Sequence, residues 1–280
     1  MKPIDELTFI DDYMFGEVMK SRDICIGVLE RLTGLEIEDI EYPQLQKSLK
    51  AGYESHGIRL DVYVKDSSTV YDIELQNRHY GSLGRRTRFY QSLIDADCLL
   101  KGMDYSRLPR TLIIFICTGD PFGLGLPRYT FTTRCMESDE ANLDDSTEKI
   151  IYNSSAYKTA EDENLRAFLK FVSENKSTDS FTEKLLDQTR QIKRDEIFRK
   201  EYMSMGIWET DIREQATKEG YEAGRMDGIS LGMEQGVYQK SVEDALVLIR
   251  NYNVPVEIAA QQMGAPLDMV IAELEKEGGQ

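Results

Sequence analysis

Histidine occurs only twice in 280 residues, at His56 and His79, and the four cysteines, Cys25, Cys98, Cys117 and Cys135, lie far apart with no CxxC pair. Soft ligands this sparse argue against a zinc site and a disulfide framework, so reduced thiols packed in a core are the expectation. No apolar run approaches the roughly 18–20 residues of a membrane helix, and the opening Met1-Lys-Pro-Ile-Asp-Glu6 has no signal-peptide character. A membrane partner is therefore not expected, and a cytoplasmic location is. Positive charge is short as well: 34 Lys and Arg face 50 Asp and Glu, a net −16 that repels polyanions at long range. A nucleic-acid role must then rest on a local basic patch. What is present, 41% hydrophobic and 9% aromatic residues, suffices for a sizeable core and excludes disorder throughout. The length exceeds one average domain of about 100–150 residues, which predicts a core with an appendage.

Residues 8–32 space Phe9, Ile10, Phe15, Val18, Met19, Cys25, Val28, Leu29 and Leu32 mostly at i, i+3, i+4, predicting one or two amphipathic helices that end at Gly34. Ile58–Lys65 and Val70–Gln76 alternate instead, as two strands joined through Asp66–Thr69 do. Residues 82–101 read as a helix, Thr111–Cys117 as a strand buried on both faces, and Tyr129–Arg134 as another alternating strand. Segment 137–148, with six acids and no base, reads as a solvated loop.

Beyond about residue 160 the pattern is helical. Leu165, Phe168, Leu169 and Phe171 make one face; Phe181, Leu185, Leu186, Ile192 and Ile197 make another. Glycine then recurs every fourth residue at Gly220, Gly224, Gly228, Gly232 and Gly236. Each costs a helix about 1 kcal/mol relative to alanine. Either a second helix packs closely on the stripe, or the segment is a loosely held connector. Residues 241–277 predict three short helices, Ser241–Asn251, Val256–Met263 and Leu267–Glu277, with Ala245, Leu246, Leu248, Ile249, Ile258, Ala259, Met263, Val270, Ile271 and Leu274 turned inward. The turn before the last helix resembles a helix-turn-helix, but that helix starts Leu267-Asp-Met269 and stays acidic, which suits a self-association bundle better than a DNA reader. The expected division is 1–175, 176–240 and 241–280.

With Asp66–Thr69 as the loop, the hairpin register pairs Lys65 with Val70, Val64 with Tyr71, Val62 with Ile73, Asp61 with Glu74 and Leu60 with Leu75. Directly opposed residues share a face. Leu60, Val62, Val64, Tyr71, Ile73 and Leu75 then fall on an apolar face, and Asp61, Tyr63, Asp72, Glu74 and Gln76 on the other. Two opposed carboxylates repel when ionised, and a bound hard cation such as Mg²⁺ removes the conflict. An ordinary acidic strand face in water is the alternative. Residues 77–110 carry seven bases, Arg78, Arg85, Arg86, Arg88, Lys101, Arg107 and Arg110, against three acids, Asp95, Asp97 and Asp104. A guanidinium cluster beside a carboxylate pair suits phosphate binding, although a solvated basic helix has the same composition.

At these residues a resemblance appears. Asp61, twelve intervening residues and Glu74-Leu75-Gln76 resemble the PD-(D/E)XK nuclease signature in its variant with glutamine last. Asp12-Tyr-Met-Phe15, Arg88-Phe-Tyr90 and Gly102-Met-Asp-Tyr105 are similar to further elements of the Rpn family of recombination-promoting nucleases, over roughly residues 8–175. The resemblance implies an α/β fold with a restriction-endonuclease-like core, α-β-β-β-α-β, whose mixed sheet is flanked by helices, and an all-helical C-terminal region. It implies a DNA endonuclease using Mg²⁺, for which Mn²⁺ can substitute, with Asp61, Glu74 and the Leu75 carbonyl as metal ligands and Asp12 completing the outer shell; Glu17 is a weaker candidate. Catalysis would rest on Asp61, Glu74 and Gln76, DNA contact on Arg78, Arg85, Arg86, Arg88 and Tyr90, and homo-oligomer formation on the C-terminal helices. Two departures from the family's lysines, Gly16 and His56, remove positive charge near the presumed site. They support a competing expectation of a weak or inactive nuclease-fold module that binds or regulates through its helical tail.

Overall fold

The computed structural model describes residues 2–50, 57–77 and 81–278, with main chain only for 207–216, 277 and 278. His56 and Arg78 thus lie outside the described residues. The sheet starts from the hairpin of β2, Ile58–Lys65, and β3, Thr69–Gln76. Asp66 sets the turn, because its Oδ1 accepts the Ser68 and Thr69 N–H groups at 2.8 and 2.7 Å. An aspartate that bonds the backbone two residues on imitates a backbone turn. The register runs Lys65 to Val70, Val64 to Tyr71, Tyr63 to Asp72 and Val62 to Ile73, as the alternation predicts.

From β3 the chain crosses through α3, Leu83–Cys98, to β4, Arg110–Cys117, which pairs parallel to β3 from Thr69–Arg110 to Gln76–Cys117. Parallel neighbours require such a crossover. β4 is buried on both faces: Leu112, Ile114 and Ile116 enter one core cluster, Ile113, Phe115 and Cys117 the other. Adding β1 (Gln44–Leu49), β5 (Arg128–Phe131) and β6 (Thr147–Asn153) gives a mixed sheet in the order β1-β2-β3-β4-β6-β5. The first cluster is packed by α1 (Asp12–Met19), α2 (Arg22–Thr33), α4 (Glu163–Glu174) and α5 (Ser180–Arg194), and α3 covers the second. This is the expected α/β architecture with two strands added beyond its core.

Several local expectations change. β6 starts at Thr147, inside the segment read as loop, because the apolar Ile150-Ile-Tyr152 run pulls its polar beginning into the ladder beside β4. Leu60 packs in the second cluster with Ile58 and Tyr63, whereas Val62 belongs to the first. The polarity of β2 therefore reverses at Asp61. β1 reverses in step: Leu45 packs with the first cluster and Leu49 with the second, and Gln46 between them has φ 51°. A residue other than glycine in that left-handed region marks a local break in the strand.

The chain divides into two compact units, Met1–Tyr202 and Met203–Gln280. The first extends past residue 175 because Leu185 of α5 and Phe198 and Tyr202 of α6 (Glu196–Tyr252) join its core, while Ile197, expected inward, is 68% exposed. In the second unit α6 runs on without a break at Ser241, so the expected first short helix is its end. α6 is followed by α7 (Val256–Met263) and α8 (Leu267–Gly278), closed on a small core of Val242, Ala245, Leu246, Ala259, Ala260 and Val270. Ile258, Met263 and Ile271 turn outward instead. Two helices as short as α7 and α8, closing on the end of α6, bury only one stripe each. A Cβ built at any of the five stripe glycines meets no atom within 4 Å, so among the described residues nothing packs there. Among the described residues no helix is long and apolar enough to cross a membrane.

Candidate functional site

The β2–β3 ladder ends at the Val62–Ile73 pair, and side chains take over from the backbone. The Asp61 N–H donates to Glu74 Oε1 at 2.9 Å, and the Leu75 N–H donates to Asp61 Oδ2 at 3.1 Å. This reciprocal exchange holds the two carboxylates side by side at the point where β2 reverses polarity. Glu74 is 4% exposed and Asp72, two residues earlier on the same strand, is 0% exposed. Burial is the main cause that lifts the Asp61 carboxyl to about 6, with the Asp12 charge adding to it and the Leu75 N–H opposing. Burial and then the Asp61 charge lift Glu74 to about 8. Asp72 is raised well above its ordinary value by burial and the charges of Glu74 and Asp61. Like charges crowded out of water disfavour ionisation.

One cation enters this acidic group from α3. Arg86 Nη1 donates to Gln76 Oε1 at 2.9 Å, Nη2 donates to the Tyr90 hydroxyl at 3.0 Å, and Nη2 lies 3.6 Å from Glu74 Oε2. The guanidinium also sits 5.2 Å from the Phe115 ring centroid. Arg86 and Tyr90 are one helical turn apart, which is why a single face of α3 delivers both. Their place differs from the expectation of a DNA-facing surface. Tyr90 is 8% exposed and its hydroxyl lies 3.5 Å from Glu74 Oε2, so it reaches the carboxylates rather than solvent. Arg85 and Arg88 point outward and form no ion pair among the described residues. Asp12 opens α1, where its Oδ1 is 3.5 Å from Asn77 Nδ2 beyond the end of β3. Glu17 is turned to Lys20, 2.5 Å away.

The structure thus draws Asp61, Glu74, Gln76, Arg86 and Tyr90 together, and Asp12 acts on Asp61 through its charge. Asp72 escaped the sequence reading as a site residue, although its place two residues before Glu74 on the same face was legible there. Among the described residues no group of three or more Asp, Glu, His or Cys side chains forms a ready cage for a metal ion. A cation would rest on the Asp61 and Glu74 carboxylates, the Leu75 carbonyl and water, with Asp12 further out. That all-oxygen set of few carboxylates is the one Mg²⁺ favours. Beyond the carboxyl ends of β3 and β4, a cavity of about 580 Å³ is lined by Gln76, Asn77, Ser82, Leu83, Thr118 and Phe122 among others. In sheets with parallel strands, ligands bind at such carboxyl ends.

A mixed sheet in which paired strands present two acids and a following amide, backed by a helix carrying an arginine, defines a nuclease-type α/β core. The profile of the PD-(D/E)XK nuclease family transposases matches residues 9–229, and the chain belongs to that family. Neither the curated proteins nor the solved structures provide a match. Membership carries a nuclease- and transposase-related function, and divalent metals are in general use in this family.

Proposed function

We propose that the protein is a DNA endonuclease dependent on Mg²⁺, with Mn²⁺ able to substitute, acting in the cytoplasm in recombination or transposition of mobile elements. The observation that carries this is the reciprocal bonding of Asp61 and Glu74, which packs two carboxylates whose charges burial opposes. A divalent ion held by Asp61, Glu74 and the Leu75 carbonyl, with Asp12 outside, would polarise a phosphoryl oxygen and make a bound water acidic. The chain's own groups supply the positioning. Arg86 donates to the amide oxygen of Gln76, and a neutral amide at that place could orient a water or a phosphate oxygen but not take a proton. Tyr90 fixes Arg86 in turn. Arg85 and Arg88, exposed on α3, are proposed to meet phosphates of the DNA strand, and Arg78 with them.

Plasmid nicking with Mg²⁺ or Mn²⁺ tests this against an Asp61→Asn/Glu74→Gln control. Cleavage by the natural chain alone is expected, and equal cleavage by both removes the assignment. A second reading, a nuclease-fold module without turnover, draws support from Arg86 standing as the cation beside Gln76 where the family's lysine is missing. It predicts no nicking and no Asp61-dependent Mn²⁺ uptake in calorimetry. We further propose that the second unit mediates self-association, since Ile258, Met263 and Ile271 and the glycine stripe lie uncovered.

A further inference from the structure

Next to the cavity at Gln76 lies a second one of about 440 Å³, and the two share Leu83, Gly84 and Phe122. The α3 stripe Gly84, Thr87, Arg88, Gln91 and Asp95 lines it, together with Phe122, Phe131 and Ile151. Both phenylalanines are more than 40% exposed, at 41% and 45%, and their ring centroids are 5.4 Å apart. Tyr129 backs Phe122 at 4.7 Å, so this aromatic edge is braced rather than loose. Exposed aromatic rings flanked by cations are the elements of a stacking platform for unpaired bases.

The polar groups are as selective as the rings. Gln91 is buried, with 9% exposure; its Nε2 donates to Asp95 Oδ1 at 2.8 Å, and its Oε1 has no partner among the described residues. A buried acceptor left unmet costs desolvation without return. A base N–H or exocyclic amine would supply the missing donor once the Gln91 side chain turns toward the cavity. Arg88, from the basic stretch 77–110, and Lys149 of β6 stand at the same cavity, two cations against Asp95. An apolar peptide would not call for that charge. The volume falls within the range of pockets for small organic ligands, roughly 300–1,000 Å³.

We propose that this cavity receives an unstacked nucleobase of the substrate strand, held between Phe122 and α3, while Arg88 and Lys149 meet the flanking phosphates. The inference rests on the nuclease reading for its substrate class, and gives that site a subsite one step along the strand from Gln76. Gly84 provides a clean block, since a Cβ there meets no atom within 4 Å and its φ is not left-handed. Gly84→Leu should fill the cavity without disturbing the fold.

The test is binding of the full chain, in EDTA so that nothing is cut, to a short single-stranded DNA carrying 2-aminopurine at each position in turn. One position should lose fluorescence on binding. Phe122→Ala and Gly84→Leu should each abolish that quench and weaken affinity roughly ten-fold, at thermal stability equal to the natural chain. Quench and affinity unchanged in both variants, or no quench at any position, overturn the subsite, whatever plasmid nicking shows. If nicking fails but the Phe122-dependent quench persists, the subsite stands and the hydrolytic reading falls.

Discussion

Replacing Glu74 by glutamine should make the metal-free protein more stable at alkaline pH, an unusual result for a proposed active-site residue. The folded chain holds the Glu74 proton up to about pH 8, whereas the unfolded chain releases it near 4.5. Between those values the folded state binds more protons, so stability is full below about 4.5 and declines until about pH 8, where it levels. At about 1.4 kcal/mol per pH unit the interval gives a ceiling of about 5 kcal/mol. Asp61 titrates in the same cluster, so its own rise does not simply add. The site relaxes and admits water on ionising, which brings the expected value to about 2 kcal/mol. Glutamine keeps an acceptor for the Asp61 N–H and carries no charge, so the decline should vanish in the variant. At roughly 2–4 °C per kcal/mol, melting curves from pH 5 to 9 should fall about 4–8 °C further in the natural chain than in Glu74→Gln. Mg²⁺ at one hundred times its Kd should then return about 2.7 kcal/mol at pH 8 to the natural chain only. Parallel melting profiles for the two proteins in EDTA would refute the argument from crowded charge.

Other consequences can be measured directly. Arg86→Gln should lower nicking on the order of 100-fold, because it removes both the hold on the Gln76 oxygen and the positive charge beside Glu74, while Mn²⁺ binding by calorimetry persists. Gly27→Ala should cost about 1–3 kcal/mol in chemical denaturation, since its methyl would collide with the Phe181 ring that Arg31 clamps from 3.8 Å. Asp66→Ala removes the oxygen that accepts both N–H groups of the hairpin turn and should cost about 1–2 kcal/mol by the same measurement. Ile258→Glu with Ile271→Glu should reduce the mass seen by light scattering, and an unchanged mass would remove the helical tail as the association surface.

The sequence disclosed the hairpin because its two strands meet through a turn whose chemistry, an aspartate bonding its neighbours' backbone, is local. It disclosed β4 because six apolar residues in a row, Leu112–Cys117, have no amphipathic alternative. β1 was opaque: Gln44-Leu-Gln-Lys-Ser-Leu49 is mostly polar and is held as a strand by its partner β2, a contact that lies in tertiary space. The Leu60 face was misread for a related reason. Both sides of this sheet are apolar, so the reversal at Asp61 leaves no trace in hydrophobicity and shows only in the left-handed Gln46 opposite. The register predicted Asp61 opposite Glu74 as a ladder pair, whereas the ladder stops at Val62–Ile73 and the two acids meet through side-chain bonds instead. The part of Arg86 was not readable, since composition places an arginine on a helix without saying which way that helix turns it.

The exchange between Asp61 and Glu74 gives each acid a second occupation, as a fastener at the place where two strands part company. Hydrocarbon side chains at either position would leave an N–H in the interior unanswered, whereas asparagine and glutamine retain an oxygen to receive it. Relatives that have abandoned hydrolysis should accordingly carry amides there far more often than alanine or valine.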